Sequence, residues 1–143
     1  MTAPERTVLR WPLILGCVFA LTAVMAGAFG AHGLRGVVSP RGLEVFQTAV
    51  TYQMYHSLAL IIVAILSGLE IAGNPGRKLL SVGAGFFAAG IVLFSGSLYL
   101  LVLTQMSWPG PVTPLGGVCF MVGWALLVIA GLKQSPSDIT RQI

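Results

Sequence analysis

The chain has 143 residues, 8 basic and 4 acidic, so charged side chains make up 8% against an apolar fraction of 56%. Soluble domains carry about a quarter charged residues, and so few charges cannot cover the surface of a soluble protein of this size. Disorder requires the opposite composition, low hydrophobicity with high net charge, which leaves a single compact domain embedded in a membrane.

The charges are clumped. No Asp, Glu, Lys or Arg lies between Arg10 and Arg35, between Glu44 and Glu70, or between Lys78 and Lys133. A spanning helix needs about 20 apolar residues, so the first two gaps predict spans over 11–31 and 45–69. The third gap is interrupted by Trp108-Pro109-Gly110-Pro111-Val112-Thr113-Pro114, where prolines cannot continue a helix. It therefore holds two spans, 79–103 and 112–132. The expected architecture is all-α, an integral membrane four-helix bundle with short tails over 1–10 and 133–143. Arg6 and Arg10 ahead of Leu13–Met25 and Ala26-Gly27-Ala28 also fit a cleaved signal peptide, which would leave three spans.

Basic residues orient the spans. Arg6, Arg10, Arg77, Lys78, Lys133 and Arg141 fall on one side, and Arg35 and Arg41 on the other. The positive-inside rule then puts both termini in the cytoplasm of an inner (plasma) membrane. The net charge of +4 reflects this topology. No basic patch interleaved with aromatics points to nucleic acid.

Small residues are the means of helix packing in lipid, because they let backbones approach. Ala20, Ala23, Gly27, Gly30 and Ala31 mark span 1; Gly83, Gly90 and Ser97 mark span 3; Gly116, Gly123 and Ala130 mark span 4. Steps of seven keep each of the last two sets on one helix face. These faces predict either a tight bundle or a ligand groove over the glycines. Trp11 and Trp108 sit where interfacial anchors belong, and Trp124, inside span 4, needs an acceptor or a water for its indole N–H.

Span 2 differs from the others. Ser39-Pro40 reads as a helix start, with Ser39 as N-cap. A helix from there to Leu69 would be about 45 Å long and would project toward the outer interface beyond the ~30 Å hydrocarbon core. Its polar residues give the candidate intramembrane site: Thr48, Tyr52 and His56 on one ridge, with Gln53 and Ser57 on the next. His56 is placed about 9–16 Å below the outer surface. At that depth an ionisable side chain faces the bundle and is a functional candidate, the alternative being a neutral histidine that fixes helix register. A proton relay would need an acidic partner, and Glu5, Glu44, Glu70 and Asp138 all lie outside the spans or at their ends.

His32, in Gly30-Ala31-His32-Gly33, ends span 1. Two histidines do not supply the ligands zinc requires. Cys17 and Cys119 should differ in depth by about 10 Å, too far to bridge. Nucleophile–histidine–acid arrangements, phosphate-cradling loops and paired carboxylates are missing from the sequence. The expectation is a non-enzyme without cofactor or metal.

Several strings resemble a known family: Gly27-Ala28-Phe29-Gly30-Ala31-His32-Gly33-Leu34; Phe46-Gln47-Thr48-Ala49-Val50 with Tyr52-Gln53-Met54-Tyr55-His56-Ser57-Leu58-Ala59-Leu60; Phe94-Ser95-Gly96-Ser97-Leu98-Tyr99-Leu100; and Thr113-Pro114-Leu115-Gly116-Gly117 through Gly123-Trp124. Together, in order over about 16–132, they resemble the YgdD-like family of small four-span inner-membrane proteins, a family with no established activity. The resemblance implies four helices in a membrane and draws attention to His32, Ser95, Ser97, Tyr99 and Thr113 as further polar members. Ser57 stands where the pattern leads one to expect Ala.

Three functions fit the sequence. One is a non-enzymatic bundle that oligomerises or docks on a membrane complex. Another is a small oligomeric transporter or channel lined by Thr48, Gln53 and His56, although span 1 lacks the buried acid of four-span drug exporters. The third is a lipid- or quinone-binding protein using Tyr52 or His56.

Overall fold

A computed structural model describes residues 8–69 and 73–133, with side chains from 76 onward in the second stretch. The two expected tails, apart from their helix-proximal residues, and Glu5, Arg6, Glu70, Asp138 and Arg141 of the charge pattern lie outside the described residues. The elements are α1 (Arg10–His32), α2 (Pro40–Gly68), α3 (Gly73–Gly90), α4 (Gly96–Thr104) and α5 (Val112–Leu132). A π-helical turn, Ile91–Ser95, joins α3 to α4, so the two form one interrupted span. Among the described residues, four helices are thus long and apolar enough to cross a membrane: α1, α2, the α3–α4 composite over Gly76–Thr104, and α5. Among the described residues there is no β-strand.

The helix ends follow from local chemistry. Ser39 accepts the Gly42 N–H at 3.0 Å, and Pro40 occupies the first helical position, where its missing N–H costs nothing. The resulting α2 has 29 residues, about 43 Å of helix. At the other end of the molecule, Ser67 near the C-terminus of α2 takes the Leu9 N–H at 3.0 Å and passes its own proton to the Ala64 carbonyl. A side chain of α2 thereby caps α1. Between the two helices, Gly36 turns the chain at φ +76°, a value that glycine adopts without strain. The third span stops at Gln105, whose φ of 58° is a left-handed helix cap. Pro109 and Pro111 then make the turn. Pro114 falls in the first turn of α5, where the N–H it lacks would have had no acceptor.

α2 is the pillar of the fold. It packs against α1 on one side and α3, α4 and the π-turn on the other, while α5 packs on α3 and the π-turn. Half of its spanning segment is buried inside the protein, against 17% for α1 and 22% for α5; the outer helices therefore give most of their surface to lipid. The main core joins Ala59, Leu60 and Val63 to Ala84, Phe87 and Phe120. A second cluster, at the α1–α2 loop end, gathers Leu34, Phe46, Val50 and Val102.

Gly90 of α3 and Gly123 of α5 are each filled by a ring from the facing helix. A Cβ on Gly123 would come within 2.6 Å of Phe87, and one on Gly90 would run into Phe120. Gly116 lies against the backbone of Phe94 in the π-turn, and Gly83 against Leu127. Between α3 and α5 the groove alternative is thereby closed: Phe87, Phe94 and Phe120 occupy the space above Gly123, Gly116 and Gly90. On α1, Gly30 meets Phe46, Gly27 meets Val50 more loosely, and Ala23 is fully buried. The tightest approach of α1 to α2 is at Gly16, where a Cβ would stand 2.9 Å from the Ser57 carbonyl oxygen.

Candidate functional site

The polar residues of α2 divide between two environments. Gln53, His56 and Ser57 point into the protein and are buried, whereas Thr48 and Tyr52 are exposed, Tyr52 to 40%. A helix repeat of 3.6 residues permits this, because ridges that run i, i+4 drift around the axis.

Gln53 is a three-way connector. Its Nε2 donates to the Phe19 carbonyl at 2.9 Å and to Thr22 Oγ1 at 2.8 Å, both on α1. Its Oε1 accepts from the Tyr99 hydroxyl of α4 at 2.8 Å. Thr22 has its own proton committed to carbonyls one turn back, Val18 and Phe19, so it meets Gln53 as an acceptor. The amide is therefore satisfied on both its nitrogen and its oxygen. Ser57, one turn on, gives its proton to the Gln53 carbonyl at 2.6 Å.

His56 connects α2 to α5. Its Nε2 accepts the Trp124 indole N–H at 3.2 Å, and its Nδ1 lies 2.7 Å from the Tyr52 carbonyl oxygen. An indole only donates and a carbonyl only accepts. The two contacts together assign the Nδ1–H tautomer, with a lone pair on Nε2. The ring stacks flat on Phe120, centroids 3.5 Å apart and planes 8° from parallel. Tyr52, Phe87, Phe94 and Trp124 complete an aromatic cluster around this pair. His56 thus supplies the acceptor that Trp124 requires inside span 4.

The remaining polar members of the family-like strings tie the π-turn and α4 to their neighbours. Ser95 donates to the Ala49 carbonyl of α2 at 2.7 Å. Ser97 gives its proton to the Phe94 carbonyl at 2.9 Å, so the 2.7 Å contact with Thr113 of α5 is a donation from Thr113. His32 is exposed at the end of α1, away from this network. Among the described residues, no buried side-chain nitrogen or oxygen lacks a partner and no group of three metal-ligating residues occurs. Cys17 and Cys119 are free thiols.

Thr48 and Tyr52 line a groove of about 590 Å³ between the C-terminal end of α1 and the first turns of α2. Thr48 and Thr51 donate to the carbonyls one turn back, those of Glu44 and Gln47. The structure therefore separates the five α2 candidates into an inward network and an outward groove, which only Tyr52 touches from both sides through its stacking on His56 and Phe94.

Sequence reasoning missed Thr22, Ser67 and the π-turn. Thr22 and Ser67 each sit among apolar residues in a span, and a lone hydroxyl there usually bonds its own helix. The π-turn has no sequence signature in the run Ile91-Val92-Leu93-Phe94-Ser95.

No solved structure matches the chain. A family described as "Protein of unknown function (DUF423)" matches residues 26–117. The UPF0382 membrane protein YwdK of Bacillus subtilis is 48% identical over 126 residues, covering 85% of this chain and 95% of the relative. The UPF0382 membrane protein SAB0533 of Staphylococcus aureus is 48% identical over 121 residues, 85% of this chain and 94% of its own length. SSP2132 of Staphylococcus saprophyticus, also a UPF0382 membrane protein, reaches 51% over 122 residues, 85% of this chain and 96% of its own. The chain belongs to the DUF423 family of small membrane proteins of unknown function.

Proposed function

We propose that this protein is a non-enzymatic component of the plasma membrane, a preformed helical unit that associates with itself or with a larger membrane complex through the lipid-facing sides of α1 and α5. The observation that carries this reading is the closed polar interior. Gln53, His56, Ser57, Ser95 and Ser97 spend their donors and acceptors on backbone carbonyls and on the side chains of Thr22, Tyr99, Thr113 and Trp124. Buried polar groups so used act as interhelical links rather than as groups held ready for a substrate. A transport path or a quinone site built on His56 would need a free ring nitrogen, and both are engaged.

The outer helices fit the docking part of the proposal. α1 turns Leu13, Ile14, Val18, Leu21 and Met25 outward, and α5 turns Leu115, Val118, Met121 and Val128 outward. α1 also meets α2 through Gly16, Ala23, Gly27 and Gly30 along its length, which favours a retained span over a cleaved signal. The distribution of basic residues supports a topology with both termini in the cytoplasm. Reporter fusions at each end should report the same side; opposite sides would overturn the topology.

Cys17 provides a native probe on the exposed side of α1. Mild oxidation in membranes, with single cysteines also placed at Leu21 and Val118, should trap a disulfide-linked species through at least one face. Native mass spectrometry from membrane nanodiscs should show a mass above the monomer. A bare monomer with no cross-link from any face, to a second copy or to another membrane protein, would overturn the proposal.

A further inference from the structure

The groove at the end of the α1–α2 hairpin has different chemistry from the closed interior. Its floor is apolar, formed by Gly30 and Ala31 of α1 with Pro40 and Leu43 of α2. Its volume, about 590 Å³, is in the range of small-molecule sites, roughly 300–1,000 Å³. It lies where the apolar run of α1 ends and Arg35 begins the loop, so it straddles the boundary between hydrocarbon and water.

Three donors on its wall are uncommitted. Arg35 has neither a hydrogen-bond nor an ion-pair partner among the described residues, and the same holds for the side-chain amide of Gln47 and the hydroxyl of Tyr52. An acid also lines the groove: Glu44 pairs with Arg41 at 3.1 Å, both side chains exposed. Arg35 and Arg41 against Glu44 leave a local sum of one positive charge. Thr48 and Thr51 have given their protons to backbone carbonyls, and what they offer a ligand is lone pairs.

We propose that this groove seats the headgroup of an anionic glycerophospholipid, with Arg35 on the phosphodiester, Gln47 and Tyr52 donating beside it, and Thr48 and Thr51 accepting from headgroup hydroxyls. A guanidinium meets phosphate oxygens through paired, charge-assisted hydrogen bonds. A free cation beside an apolar floor at the interface is the complement of a lipid that carries its charge just above its acyl chains. The floor distinguishes this ligand from a soluble anion, which would leave Ala31 and Leu43 uncovered.

The test uses the full chain in neutral detergent, with lipid retention followed by native mass spectrometry. Phosphatidylglycerol should bind more tightly than phosphatidylcholine. Arg35→Gln, a change at an exposed loop residue, should weaken phosphatidylglycerol by about tenfold, the loss of one charge-assisted contact, and weaken phosphatidylcholine, whose quaternary ammonium offsets the same phosphate charge, by less. Ala31→Phe, which fills the floor and alters no charge, should weaken phosphatidylglycerol as well. Equal retention of the two lipids would overturn the proposal, as would phosphatidylglycerol binding unaffected by both variants. Competition by glycerol phosphate or inorganic phosphate at the concentration that saturates lipid would also overturn it, by showing that a soluble anion is the occupant.

Discussion

The two helix seams of this protein hold together by different means. Between α3 and α5 the contact is repeated and steric: Gly83, Gly90, Gly116 and Gly123 receive Leu127, Phe120, the Phe94 backbone and Phe87 in succession. Between α1 and α2 it is tight at Gly16 and at Gly30, looser at Gly27, and completed by polar side chains that cross from one helix to the other. In lipid there is no hydrophobic gain from bringing two apolar helices together, so each seam has to supply its own attraction. The α3–α5 seam supplies it as van der Waals contact over glycine, the α1–α2 seam as Gln53 and Ser67. α2 belongs to both systems, since His56 also carries its polar contact into the ring cluster on α5.

The largest effect should come from filling the steric seam where the facing group is backbone. At Gly116 an added Cβ meets Phe94 backbone atoms, which have no rotamer in which to move aside. Gly116→Leu should therefore cost about 3 kcal/mol or more, read as a drop in midpoint temperature in detergent or as failure to accumulate in membranes. Gly27→Ala, on the other seam, adds a methyl at an ordinary 3.4 Å from Val50 and should change the midpoint little. Equal effects at the two sites would erase the distinction between the seams.

Next in size is His56→Ala. It removes the ring stacked on Phe120 and leaves the Trp124 N–H without its acceptor, and should cost about 2–3 kcal/mol. His56→Phe separates the two losses: the flat ring is kept and the acceptor is not. It should recover most of the stability while the Trp124 emission shifts as its N–H loses its partner. A variant that folds with unchanged stability, but loses a measurable flux in vesicles, would replace the linking role with a transport role.

Much of this arrangement could be read in the residues. Three long stretches without charge, the last divided by prolines, place four spans because burying a charge in hydrocarbon is costly and proline ends a helix, and the seven-residue steps of Gly83–Gly90 and Gly116–Gly123 mark faces because two helical turns return nearly to the start. Trp124 announced a missing acceptor, yet its distance from His56 in sequence hid their pairing. The π-turn was hidden for a different reason. An extra residue in a helical turn leaves the apolar composition of Ile91–Ser95 unchanged, and its effect shows only in packing, where Ser95 reaches the Ala49 carbonyl of α2 while the Phe94 backbone lies on Gly116. The division of Thr48 and Tyr52 from Gln53 and His56 was likewise out of reach, since it depends on where α1 and α5 flank α2.

The smallest predicted effects examine the polar seam. Gln53→Leu keeps the size of the side chain and removes its links to Phe19, Thr22 and Tyr99. In water an orphaned Tyr99 hydroxyl would cost about 1–3 kcal/mol, but links between helices in membranes average roughly 0.6 kcal/mol because the separated helices find other partners. The expected loss is therefore about 1–2 kcal/mol, below that of His56→Ala. Tyr99→Phe in the same background should add almost nothing, because the hydroxyl already lacks its acceptor. Thr48→Ala removes only a bond to its own helix at an exposed position, and should stay within about 0.5 kcal/mol. A Gln53→Leu loss as small as that of Thr48→Ala would mean that α1 is held mainly by Gly16 and its neighbours, with Ser67 as its remaining polar link.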